Sequence, residues 1–516
     1  MTTVTLGLDG GSFELIEPWL REGDLPNVER IRSEGTGGDM RSCLPPVTCP
    51  NWQCYATGRN PGKLGVFWWE AVDRTRQEIR NTSAIDNFDG QPFWNRLDGD
   101  VAVLNLPTSY PPPAIDGIHV AGGPGAEQTG FTTPESLEAT LKAEYDYQVH
   151  PEQISLLSKD DPDSPCVDEI YELIDQRFDV LLAELASGDY EYVHLTVFYL
   201  NMLQHFYWDD EVVKDAWRRI DARIGDLLAA DELDRLLIMS DHGSNEIRTE
   251  FHINTWLERE GYLVTTDSTT DWLSRLGVTR ERVRPLLGKL GIEWWLRRFV
   301  PDRVQDMLPA ADGRIKKSGK ESVVDWDRST AVASGQGPLY VLAKDPSERE
   351  RIREELVEAL GGLTDDSGNP VIREALPASA VYDGPHVADG PDVVLRQAPN
   401  VHVDGSIGAD DVFGEPETWR GENKETGLFM AYGDEFVTDM FPDDMHILDI
   451  APTVLHLHGE AVPSALDGTV RTELFAPDSE PANRDPTRVS IREQSDRTTP
   501  ADAGGVSDRL EDLGYL

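Results

Sequence analysis

Lysine is scarce in this chain: only 10 of its 47 basic residues are lysine, against 94 aspartates and glutamates, and the net charge is −47. A field of that sign repels nucleic acid and anionic membranes, which argues against a nucleic-acid partner. It also repels an anionic substrate unless the site carries local positive charge, which a bound metal can supply. Cysteine is equally sparse. Cys43, Cys49, Cys54 and Cys166 are too few for a disulfide scaffold. Cys49 and Cys54 could ligate a metal, but no second pair accompanies them, so buried thiols are the expectation. Long apolar runs are missing too, which excludes a transmembrane segment, and Met1-Thr2-Thr3-Val4 leads into a strand with no basic leader. A cytoplasmic location is expected.

The acidic residues run the whole length of the chain, so they are not a disordered tail. On an otherwise globular composition, an acidic, lysine-poor surface is that of a halophilic, archaeal protein kept soluble in high salt. With 516 residues, the chain can bury a large core and is expected to hold more than one lobe. Its organising stretch is Leu236-Leu237-Ile238-Met239-Ser240-Asp241-His242-Gly243. The apolar run predicts a buried strand, with two strong metal ligands where that strand must end. In an open α/β sheet, ligands bind in the crevice beyond the carboxyl ends of the strands. A carboxylate beside an imidazole there suits zinc or manganese, although most such pairs simply cap a turn.

Other segments end the same way. Val4 to Leu8 predicts a strand with Asp9-Gly10-Gly11 at its carboxyl end, where a turn aspartate is the ordinary alternative. Asp24 to Ile31 reads as the start of a helix. Pro45-Pro46-Val47-Thr48-Cys49-Pro50-Asn51-Trp52, closed by Gly58, predicts a short helix starting close to Thr48. A threonine there is an ordinary cap, but a helix N-terminus also favours anions, and its hydroxyl can attack a phosphate held on the same amides. Strands are expected at Val101–Leu104, Ile118–Val120 and Tyr192–Val197, with helices at Ser136–Ala143 and Asp168–Leu185. Asn201 and His205 follow the Tyr192 strand four residues apart, on one face of a helix. Phe251–Gly261 reads as a helix. Between Asp271 and Asp325 there are 12 basic and 8 acidic residues, a net +4 inside this acidic chain, together with Trp294-Trp295. A helical cap or an inter-lobe packing face is expected there. The α/β pattern resumes with a strand at Leu339–Ala343, a helix at Ser347–Leu360, strands at Asp392–Leu395 and Leu428–Gly433, and a helix at His446–His458. After Ala476 the composition turns polar and proline-rich, and the apolar spacing of Val506–Leu516 could dock on the body.

In order along the chain, Leu8-Asp9-Gly10, Val47 to Trp52, Ala56-Thr57-Gly58-Arg59-Asn60-Pro61-Gly62-Lys63, Leu203 to Trp208, Ser240 to Gly243, Asp449 to Leu455 and Asp467-Gly468 resemble the alkaline phosphatase superfamily. Within it, they resemble the type I phosphodiesterase and nucleotide pyrophosphatase branch. The closing Arg509 to Leu516 is similar to tails in the same superfamily. The resemblance implies an α/β fold, a central mixed sheet sandwiched by helices with an inserted helical cap. It divides the chain into core at 1–265, cap at 266–328, core at 329–475 and a polar tail at 476–516. It also implies one metal site on Asp9, Thr48, Asp241 and His242, and a second drawing on Asn201, His205 and Asn423. The family places aspartate at the position of Asn201 and histidine at that of Asn423. Trp69 stands where nucleotide-cleaving relatives keep a phosphate-binding asparagine.

The implied activity is metal-dependent hydrolysis, or transfer, of a small phosphate ester, either a diester or a monoester. Thr48 would be the nucleophile and form a covalent intermediate. His205 could protonate the leaving oxygen, and Lys424 could stand in for a missing cation. The expected cofactor is zinc, with manganese, magnesium or calcium as alternatives, in one or two ions. The competing readings are a one-metal, sulfatase-like hydrolase of sulfate esters and a non-catalytic relative that binds a ligand. Oligomeric state is left open.

Overall fold

The computed structural model describes residues 1–82, 90–188, 190–266, 320–438, 440–490, 509–510 and 513. Three parallel strands, Thr3–Leu8, Tyr192–Val197 and Arg235–Met239, form its centre, and every residue in them is buried. Near-continuous apolar runs suit strands covered on both faces. Thr3–Leu8 lies between the other two, so all three carboxyl ends open on one edge of the sheet.

The whole sheet has eight strands. Its order is Thr36–Arg41, Thr426–Tyr432, Arg235–Met239, Thr3–Leu8, Tyr192–Val197, Val101–Pro107, Gly117–Gly122 and Thr132–Thr133. Thr426–Tyr432 runs antiparallel to both of its neighbours, and Thr132–Thr133 antiparallel to Gly117–Gly122, so the sheet is mixed. Alternation along each strand divides the core in two. Leu236 and Ile238 pack with Phe178 and Trp217, from the helices Pro165–Ser187 and Glu211–Leu228. Leu237 and Met239 face Tyr55 and Val454, from the helices Thr48–Thr57 and Ile450–Leu457. A smaller four-stranded sheet, Ala331–Ala333, Pro338–Val341, Val393–Gln397 and Ile372–Pro377, carries the helix Pro346–Leu360 over a third core.

Two segments differ from the sequence reading. Thr249–His252 is a strand, pairing with Val401–Asp404 and Phe413–Gly414, and the helix begins only at Ile253. The helix expected from His446 begins at Ile450, after a single 3-10 turn. Pro452, in its first turn, has no N–H to extend the helix backwards.

The cap expected at 266–328 lies outside the described residues from 267 to 319. Just after it, Lys320 Nζ sits 3.3 Å from Glu70 Oε2, with both side chains buried. Past Ala476 the chain still packs: Arg488–Val489 pairs with Val462–Pro463, and Arg484 reaches the carbonyl of His456. Leu510 and Leu513 are buried in the main core, and Arg509 pairs with Glu127 at 2.9 Å. Replacing Leu510 and Leu513 with alanine should therefore cost about 2 kcal/mol each, the low end for a buried leucine, as read by chemical unfolding in high salt.

Candidate metal centre

Two of the three central strands deliver polar groups to the common edge. Asp9 follows Leu8 directly, and Asp241 and His242 follow Met239 after Ser240. The chain turns sharply at Gly10, at φ +71, where a Cβ would lie 2.3 Å from Asn201 Oδ1. Its carbonyl accepts from Gln204 Nε2 at 3.1 Å and Ser244 Oγ at 2.9 Å. Ser240 Oγ donates to Gly11 O and accepts from Leu428 N–H, both at 2.8 Å, tying the two strand ends together.

Thr48 is the first residue of the helix Thr48–Thr57, which ends at Gly58 with φ +64. Asn51, one turn in, stitches the entry loop. Its Oδ1 accepts from Cys43 N–H at 2.8 Å, and its Nδ2 donates to Pro45 O at 3.1 Å and Val47 O at 3.0 Å. The Thr48 hydroxyl is thereby held 3.4 Å from Asp9 Oδ1 and 3.3 Å from His242 Nε2. His242 Nε2 is in turn 3.6 Å from Asp9 Oδ1 and 3.3 Å from Asp241 Oδ2. His242 Nδ1–H donates to Gly243 O at 2.9 Å, which turns the lone pair of Nε2 towards the carboxylates.

This donor set fits a cation. Tetrahedral zinc, with bonds of ~2.0–2.1 Å, places its ligand atoms about 3.3 Å apart, close to the four separations above. Asp241 Oδ2 is buried and accepts no hydrogen bond. Burial raises the pKa of Asp9 to about 8, against donations from Trp52, Thr48 and Asn201. Burial, and then the charge of Asp9, lift Asp241 well above the carboxylate range, while burial lowers His242 to about 3. Two carboxylates destabilised in this way, beside a neutral imidazole, call for a divalent partner.

Asn201 and His205 lie in the helix Tyr199–Tyr207, and Asn423 in the strand Gly421–Lys424. Asn201 Nδ2 is 3.2 Å from His205 Nε2 and 3.4 Å from Asn423 Oδ1. His205 Nδ1–H donates to Gly421 O at 2.8 Å, so its Nε2 is an acceptor, and burial lowers its pKa to about 4. Its ring stacks on Trp419, with centroids 3.9 Å apart. Asn423 is fully buried, and its Nδ2 has no hydrogen-bond partner, a condition that costs about 1–3 kcal/mol. Lys424 faces the other side of its strand and pairs with Glu14, which neutralises its ammonium. Trp69 is buried in the main core with Trp68.

Sequence reasoning missed several supports. Trp52 Nε1–H donates to Asp9 Oδ2 at 2.8 Å. The four-residue spacing from Thr48 to Trp52 was the available signal, since it puts both on one helix face. Glu422 accepts from Asn423 N–H at 2.7 Å and also engages His402 and Gln336, and no sequence pattern announces that contact.

The family description that matches residues 3–419 is type I phosphodiesterase / nucleotide pyrophosphatase. The chain belongs to this family. It is accordingly an enzyme of the phosphodiesterase/phosphatase type, in a metal-dependent family of phosphoric ester hydrolases. Among solved structures, phosphonoacetate hydrolase from Sinorhizobium meliloti 1021, in complexes with phosphonoformate and with phosphonoacetate, is similar at 12% identity and a TM-score of 0.51. The similarity covers 87% of this chain and 94% of that one, and shows the shared alkaline phosphatase-like fold. No curated protein matches the sequence. Among the described residues, no helix is long and apolar enough to cross a membrane.

Two outcomes follow from the electrostatics. With the metal chelated, folded Asp9 binds its proton up to about pH 8, whereas the unfolded carboxyl releases it near 3.8. The stripped protein should therefore lose stability as pH rises from about 4 to about 8, and added metal should restore it. Melting temperatures at pH 5 and pH 8, with and without metal, check this. Trp52→Phe, which leaves Asp9 Oδ2 without its donor, should weaken metal affinity about 10- to 100-fold in a competitive chelator titration.

Proposed function

We propose that the chain hydrolyses phosphate esters through a covalent threonine intermediate, with one divalent ion, zinc by preference, held by Asp9, Thr48, Asp241 and His242. The observation that carries this reading is the threonine hydroxyl within 3.4 Å of both Asp9 and His242, at the N-terminus of its helix. When bound, a divalent cation would lower the pKa of that hydroxyl and offset charge on the ester. Thr48 Oγ1, its proton released to solvent, attacks phosphorus in line. The P–O bond to the alcohol breaks, and the alcohol takes up a proton. The Thr48 and Cys49 amides, ahead of Pro50 in the first turn, face the phosphoryl oxygens. Water then attacks phosphorus, the bond to Thr48 breaks, and phosphate or a phosphomonoester leaves.

His205, neutral and accepting at Nε2, orients Asn201 in this scheme; it does not protonate the leaving oxygen. Lys424, paired with Glu14, is left out. The acidic, lysine-poor composition supports work in concentrated salt, so the assays belong there.

Thr48→Ala should lower turnover at least about a thousandfold while keeping most of the metal on the three remaining ligands, and Asp241→Asn should lower both. A panel of chromogenic phosphodiester, phosphomonoester and sulfate ester checks the first outcome, and elemental analysis the second. Acid quenching during turnover should trap phosphate on the peptide containing Thr48. Full activity in Thr48→Ala would rule out the threonine route, and turnover of the sulfate ester alone would favour a sulfatase.

A further inference from the structure

Next to the four metal donors lies a cluster with no charge of its own. Asn201 hydrogen-bonds the Asp9 carboxylate, and its Nδ2 also lies within reach of His205 Nε2 and Asn423 Oδ1. The two Nδ2 hydrogens are shared among these three acceptors, so the imidazole lone pair and the Asn423 side-chain oxygen are each part-engaged. A second dication here would have to break both contacts and would find no carboxylate within the trio. Amide oxygens and one occupied imidazole are a poor donor set for a dehydrated ion.

What the cluster leaves over is a donor. Asn423 Nδ2 is fully buried and unpartnered, next to Asn201 and hence one residue removed from Asp9. Asn423 itself is firmly held. Its N–H donates to Glu422 at 2.7 Å, its carbonyl accepts from Gln397 at 3.2 Å, and Glu422 is pinned by Gln336 and His402. A fixed N–H with no acceptor in the protein suits an anionic oxygen brought by a ligand.

We propose that Asn423 Nδ2 contacts substrate directly, donating to a non-bridging oxygen of the ester held on Thr48, and that the Asn201–His205–Asn423 cluster replaces a second metal ion. The enzyme then carries one ion per chain, and a neutral hydrogen bond does part of the anion binding. This rests on the reading above that Asp9, Thr48, Asp241 and His242 hold the first ion.

The test is metal stoichiometry together with anion affinity. Elemental analysis of the protein equilibrated with excess zinc and then gel-filtered should give one zinc per chain. Two zincs would overturn the inference and leave the first site standing, whereas none would remove the first site and this inference with it. Inorganic phosphate binding to the zinc-loaded protein, measured by calorimetry, should weaken about 10- to 100-fold in Asn423→Leu. It should weaken comparably in the smaller, uncharged Asn423→Ala. Both variants should keep one zinc. Unchanged phosphate affinity in either folded, zinc-loaded variant would reduce Asn423 to a structural residue and overturn the assignment. Asn201→Asp, which restores a carboxylate to the cluster, should raise zinc uptake above one per chain; uptake unchanged at one would refute the view that this residue's neutrality is what excludes the second ion.

Discussion

Two carboxylates, Asp9 and Asp241, are buried side by side with no basic residue between them, and the rest of the site is arranged around that repulsion. Burial alone makes each reluctant to ionise, and the charge of one worsens the position of the other. The chain counters with donors rather than cations: Trp52 on Asp9, and the Gly10 amide on Asp241 at 3.3 Å. Those contacts fix the direction of the oxygens without neutralising them. The remaining charge suits a metal, whose field would let a protein of net −47 hold an anionic ester.

The sheet makes this placement possible. Parallel strands deliver their carboxyl ends to one edge, so residues separated by more than two hundred positions meet there without any long-range sequence pattern. Ser240, Ser244 and Gln204 then bind the peptides of Gly10 and Gly11, holding the turn at a backbone angle that side chains rarely adopt. Asn51 does the same for the loop that carries Thr48.

Much of this was legible in the residues. The apolar run Leu236–Met239 predicts a buried strand because both of its faces are covered, and the polar pair that follows has nowhere to go but the edge. Pro50, in the first turn, and Gly58, just past the end, delimit the helix that presents Thr48, because one lacks a backbone donor and the other accepts a left-handed angle. What stayed hidden was three-dimensional. Nothing in the spacing of Thr249–His252 shows that it pairs with Val401–Asp404, and four residues with one apolar side chain carry no clear period. The pairing of Lys424 with Glu14 and the stacking of His205 on Trp419 depend on packing between distant segments. So does the interlocking of two asparagines with an imidazole. The residues show a carboxylate and an imidazole replaced by amides, but not how those amides contact one another.

The position of Thr426–Tyr432 makes the candidate site depend on a late segment of the chain. This late strand is the one described neighbour of Thr36–Arg41 in the central sheet, and it also clasps Arg235–Met239. A nascent chain that has emerged only as far as residue 420 already contains Asp9, Thr48, Asp241 and His242, yet the strand leading towards Thr48 has no partner to fix it. A chain cut short of this strand would carry these four residues on an unfinished sheet.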